Sequence, residues 1–250
     1  MHLADFVAHL DTYLRIDLYV DHPNACNGLQ VEGNRDITTV AFAVDACLYT
    51  IEAAVRADAD CLVVHHGLFW SGSAPVIGSL YRRVSALVRA GVALYSCHLP
   101  LDAHEEVGNN TQLCRALGME PLGQWARFEG REVGIIARAD TSIRSLQRLL
   151  DDRLDTSSRL IGGGRDRVQR VAVLTGSGAD RASEAAALGC DVLITGEGAH
   201  HSYFAAEEAG INVLLAGHYA TETLGPRALK AHVEQELRLR CCFVDHPTGL

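Results

Sequence analysis

Apolar and polar positions along the chain change period repeatedly, and the changes mark out elements. Leu3, Phe6, Val7, Leu10 and Leu14 recur at helical spacing and predict an opening amphipathic helix. A turn-rich stretch, Asp21–Gly33, follows, with Asn27-Gly28 favouring a positive-φ turn and Asn27 placed to reach a polar site. Continuous apolar runs then alternate with helical patterns: strand 38–44, helix 48–57, strand 60–65, helix 80–90 and strand 92–97. The alternation pauses over Gly118–Gly130, the best candidate boundary. It resumes with strand 132–138 and a helix carrying Ile143, Leu146, Leu149 and Leu150, then strands near 168–174, 191–195 and 211–215. A last helix turns Leu229, Val233 and Leu237 inward, with Pro226 tolerated only in its first turn, and a final strand covers 241–244. This is the pattern of mostly parallel α/β sheets.

Several strands end in chemistry. Asp60-Cys-Leu-Val-Val-His-His-Gly67 runs a buried strand into two adjacent imidazoles. Neighbouring residues in a strand point to opposite faces, so His65 and His66 can serve one site only where the strand gives way, at Gly67. Tyr95-Ser-Cys-His-Leu-Pro-Leu-Asp-Ala-His104 offers His98, Asp102 and His104. Asp102 is a candidate hard-oxygen metal ligand, and His98 either a ligand or a group that orients one. Asn109-Asn110 reads as helix capping. Asp191-Val-Leu-Ile-Thr-Gly-Glu-Gly-Ala-His-His201 and Ile211-Asn-Val-Leu-Leu-Ala-Gly-His-Tyr-Ala-Thr-Glu222 repeat the theme. Two glycine loops, near Gly163 and Gly176, could present backbone N–H groups to an anion, but lack dinucleotide or P-loop spacing and read as tight turns.

The two halves correspond. Val40–Gly67 lies over Val171–Gly198 without a gap, pairing His66 with Glu197; after one inserted residue, His98-x-x-x-Asp102 pairs with His218-x-x-x-Glu222. The expectation is two similar α/β domains from an internal duplication, 1–125 and 126–250. The helix and strand from about 222 are placed to pack back on the first, and a metal site lies in the cleft between the domains. His65, His66, Asp102, His218 and Glu222 are too many ligands for one tetrahedral zinc that keeps a water position. They suit two divalent ions, Zn, Fe, Mn or Co, bridged by Glu222 or Asp102 with a bridging water as nucleophile.

Composition narrows the classes. At 250 residues and 48% hydrophobic content the chain can bury one large core or two modest ones. A net charge of −9 opposes a surface that coats nucleic acid. The eight cysteines show no CxxC spacing and mostly sit in apolar runs, as reduced thiols do, which with no signal-like N-terminus and no membrane-length segment points to a cytoplasmic protein.

Asn27-Gly-Leu-Gln-Val31, His65-His-Gly67, His98-Leu-Pro-Leu-Asp102, Thr195-Gly-Glu197 and Gly217-His-Tyr-Ala-Thr-Glu222 together resemble the NIF-three-like dinuclear-metal hexameric protein family, the GTP cyclohydrolase 1 type 2 homologues. The resemblance covers almost the whole chain in the short form, without the PII-like domain that longer members insert between the halves. It implies the same five ligands and a toroidal homohexamer with sites facing an internal cavity. The leading expectation is a dinuclear-metal hydrolase of a nucleotide-like or other small substrate, with Glu197, His98 and His201 as orienting or proton-transfer groups. The rivals are a non-catalytic metal-binding or metal-trafficking ring and a nucleic-acid-clamping toroid.

Overall fold

The computed structural model describes residues 1–22, 25–70 and 74–250. Part of the expected Asp21–Gly33 turn, Pro23 and Asn24, therefore lies outside the described residues. In chain order the elements are α1 (Leu3–Leu14), β1 (Gly28–Val31), β2 (Thr39–Asp45), α2 (Leu48–Arg56), β3 (Cys61–His66), α3 (Gly78–Ala90), β4 (Ala93–Ser96) and α4 (Leu99–Asp102). Then come α5 (Asn109–Ala116), β5 (Glu120–Phe128), β6 (Arg131–Ser142), α6 (Ile143–Leu154), β7 (Arg159–Ile161), β8 (Arg167–Val173), α7 (Ala182–Ala187) and β9 (Val192–Thr195). The chain closes with α8 (Ser202–Ala209), β10 (Asn212–Leu215), α9 (His218–Glu222), α10 (Leu224–Leu237) and β11 (Arg240–Phe243). Among the described residues no helix is long and apolar enough to cross a membrane.

Two compact units form, one from Met1–Val107 with Gly225–His246, the other from Gly108–Leu224 with Pro247–Leu250. In the first, the sheet order is β1-β4-β3-β2-β11 and every pairing except β1 with β4 is parallel. Successive residues of β2 serve opposite faces: Val40 and Phe42 pack with Leu10, Leu14, Leu229 and Val233, while Ala41 and Ala43 pack with Ile51, Ala54 and Leu87. Helices thus cover both faces, which is why β2 and β3 read as unbroken apolar runs. Each large side chain so buried is worth roughly 1.5–3 kcal/mol.

The second unit has the order β5-β6-β8-β9-β10-β7. Only β8-β9-β10 is parallel; β5, β6 and β7 run antiparallel. This sheet is mixed where a mostly parallel one was expected. The reason lies in Gly118–Gly130, which holds strand β5 and the turn of a hairpin. The first half of β5 is exposed and carries Pro121 and Gly123, so this edge strand shows no alternation to read.

Equivalent carboxylates pin both units. Asp60 Oδ2 accepts the backbone N–H of Thr38 and Thr39 at 2.8 and 3.0 Å, and Asp191 Oδ2 those of Gln169 and Arg170 at 2.8 and 2.9 Å. Burial would raise both carboxyl pKa values; the N–H donors and a nearby arginine outweigh it and hold them low. These matched anchors, one residue before β3 and β9, place the C-terminal strand ends where the candidate chemistry stands.

Candidate metal centre

In the first unit β3 delivers His65 and His66. His65 is fully buried, and its Nδ1 lies 3.0 Å from the Cys97 carbonyl. A carbonyl only accepts, so Nδ1 carries the proton and Nε2 the lone pair. His66 Nδ1 meets Asp45 Oδ1 at 2.8 Å, and His98 Nδ1 meets Asp21 Oδ1 at 2.8 Å. One ligand atom from each of His65, His66 and His98 lies within 4.8 Å of the others. Asp102, buried on α4, brings Oδ1 to 3.6 Å from His65 Nε2. Two donors around one small cation stand roughly 3–3.5 Å apart, so this spacing suits shared coordination.

The motif glycines and amides support these positions. Asn27 Nδ2 donates to Asp21 Oδ2 at 2.9 Å while its Oδ1 accepts the His98 N–H at 2.8 Å, clamping residue 98 by backbone as well as ring. Burial would raise the Asp21 pKa; His98, Asn27 and the His22 N–H outweigh it and bring it to about 2. Gln30 Oε1 accepts the Leu68 N–H at 2.7 Å, and a Cβ on Gly67 would strike the Gln30 amide. The strand end turns away beneath that side chain because position 67 has none.

In the second unit the ligand candidates come from α9. His218 Nδ1 lies 2.9 Å from Glu197 Oε1, and Nε2 lies 3.1 Å from Glu222 Oε2. Burial would lower the His218 pKa, but the two carboxylates outweigh it and raise it to about 9. A divalent cation would take over the Nε2 position from that proton. Gly176, at φ +68°, makes room: a Cβ there would run into Glu222 Oε1 and come within 3.3 Å of His218 Nε2. His201, at the start of α8, is exposed and joins no metal-holding group among the described residues.

Both glycine loops are committed internally. Thr175 N donates to Asn110 Oδ1, Gly176 N to Thr221 Oγ1 and Gly178 N to Thr195 Oγ1. Asn110, read as a cap, is a buried clamp on this loop. Gly164 N donates to Asn212 Oδ1, and a Cβ on Gly163 would meet the Ala206 and Ile211 carbonyls. Neither loop holds these N–H groups out to a phosphate. Asp21 and Asp45 were missed by sequence reasoning; for Asp45 the available signal was a carboxylate ending an apolar strand, while Asp21, in the loop before β1, gave none.

His65, His66, His98 and His218 therefore all have Nδ1 tied to an oxygen acceptor, the arrangement that turns Nε2 toward the site and leaves its lone pair available. Burial pushes the Cys61 and Cys97 thiols well up, leaving nitrogen and carboxylate donors. Such a fold and donor set define a two-unit α/β protein with His, Asp and Glu groups that could bind metal. The chain belongs to the Duf34/NIF3 (NGG1p interacting factor 3) family, whose model matches residues 1–248. It is 40% identical over its full length to the full-length GTP cyclohydrolase 1 type 2 homolog of Archaeoglobus fulgidus, and 42% identical to that of Pyrococcus abyssi, again over the whole of both chains. A structural-genomics structure of protein ybgI, of unknown function, covers the whole of both chains with a TM-score of 0.94 at 34% identity. Reduced HcgD from Methanocaldococcus jannaschii covers 98% of each chain with a TM-score of 0.86 at 25% identity.

Proposed function

We propose that the chain is a hydrolase that uses two divalent metal ions, held by His65, His66, Asp102, His218 and Glu222, on a small substrate. The observation that carries this reading is the uniform Nδ1 anchoring of the imidazoles beside two buried carboxylates. Exposed His2 also leans its Nδ1 on a carboxylate, Asp36, at 2.8 Å, but it stands alone, whereas His65, His66 and His98 converge within 4.8 Å. The donor set is borderline nitrogen and hard oxygen, suiting Zn, Fe, Mn or Co. Bound divalent ions supply Lewis acidity and lower the pKa of water.

The chain's own residues do the rest. Glu197 holds the His218 ring, and the Asp21–Asn27 pair holds His98 beside His65 and His66, where His98 can accept or return a proton. The internally bonded glycine loops favour a substrate recognised by something other than a phosphate cradle. A nucleotide remains one member of the panel to be tried, alongside other small cyclic amides and esters. The homohexamer implied by the resemblance belongs to the same proposal, and sedimentation reads it.

The test is turnover across that panel with Zn, Fe, Mn or Co, using wild type and His98→Ala. Metal-dependent hydrolysis that falls in the variant while metal content holds supports the assignment. Tightly held metal with no hydrolysis of any member would favour a metal-binding ring instead.

A further inference from the structure

We propose that Asp45 is a positioning residue for metal uptake: it fixes the His66 ring with the proton on Nδ1 and thereby presents Nε2 as the ligand nitrogen. This rests on the reading above, in which His66 binds a divalent ion.

The imidazoles differ in what immobilises them. His65 is enclosed by the core and anchored on a backbone carbonyl. His98 leans on Asp21, itself buried and bonded to Asn27 and the Leu99 N–H as well. His66 stands at the strand end with 19% of its side chain exposed. Its ring also packs against Trp70 and His98, with centroids 5.6 Å away in each case, contacts that confine the ring without choosing a tautomer; Asp45, at 2.8 Å, makes that choice.

The turn that carries Asp45 is built to hold it. Thr50 Oγ1 donates to the Asp45 carbonyl at 2.6 Å, and the Cys47 N–H donates to Thr50 Oγ1 at 3.1 Å. The Ala46 N–H donates to the His66 carbonyl at 2.8 Å, so carboxylate and imidazole are tied through the backbone too. A carboxylate so placed also makes the imidazole a stronger donor to a cation. It would also add negative charge beside a cation held at His66.

The duplication gives an independent reason to single out this position. Residue 45 corresponds to Gly176, where even a Cβ would strike Glu222. The second unit cannot keep a carboxylate there. It orients His218 from Glu197, the position that corresponds to His66. The two units have exchanged which strand end ligates and which one orients.

The test uses untagged full-length protein and two readouts. Zinc affinity is measured by competition with a chelator, and the His66 tautomer by long-range proton–nitrogen NMR of the metal-free protein. Asp45→Ala is expected to weaken binding about 10–100-fold and to give His66 a mixture of tautomers. Asp45→Asn, which keeps an oxygen acceptor, should restore the Nδ1-protonated ring and recover part of the affinity. A circular dichroism melt matching wild type shows that the variants fold. Wild-type affinity in Asp45→Ala, whatever its tautomer, overturns the inference while leaving the metal reading intact. A wild type that takes up no zinc defeats the metal reading itself, and the inference with it.

Discussion

The two units share a frame and divide the chemistry differently. In each, an aspartate before the central strand ties down the neighbouring strand, and a short helix follows the next strand end. The first unit places imidazoles on β3, a carboxylate on α4 and an orienting acid on β2. The second leaves the β2-equivalent position to glycine, puts imidazole and carboxylate together on α9, and orients from the turn after β9. A duplicated scaffold thus supplies positions, and the residue at each decides whether it offers a donor atom, holds a ring or makes room.

That comparison can be broken by substitution, and the largest effect belongs to the proposed ligands. Glu222→Ala should lower metal affinity by more than about a hundredfold, beyond what loss of an orienting partner costs, measured by metal analysis after dialysis. Survival of full metal content would remove α9 from the account. Next come the matched anchors: Asp60→Ala and Asp191→Ala each strand two backbone N–H groups and should each cost about 3 kcal/mol in urea unfolding. Strongly unequal costs would mean that the equivalence of the two frames is only topological.

Gly176→Ala is a smaller perturbation. It adds a Cβ at positive φ, costing about 1–2 kcal/mol, and crowds Glu222; metal affinity should fall about tenfold. Gly189→Ala also has positive φ but meets nothing within 4 Å, so its stability should fall while metal affinity holds. Equal affinities for the two variants would show that Gly176 is not there to make room.

The pH response sharpens the comparison further. His218 titrates near 9 without metal, raised from the ordinary 6.5. Its contribution to stability of the metal-free protein is complete below 6.5 and is lost as pH rises through about 9. Metal must displace that proton, so apparent affinity should climb by up to about tenfold per pH unit and level off near 9. His218→Ala should flatten the climb; an unchanged slope would place the titrating group elsewhere.

Much of this was legible in the sequence. Buried parallel strands announce themselves as apolar runs; His65, His66 and His218 stand where such runs stop, and Glu222 follows one helical turn after His218. The hairpin was not legible, because an exposed edge strand with Pro121 and Gly123 has no buried face to impose a period. Nor were Asp21, Asp45 and Asn110, whose roles come from contacts 77, 21 and 65 residues away. His201 reads like a site residue because it follows a strand end, yet it lies exposed at the start of a helix.

The most direct test is metal stoichiometry on untagged protein, comparing wild type with Asp102→Ala from the first unit and Glu222→Ala from the second. The proposed ligand set predicts about two ions in wild type and a loss in each variant. No metal in reconstituted wild type, or full occupancy in either variant, would contradict it.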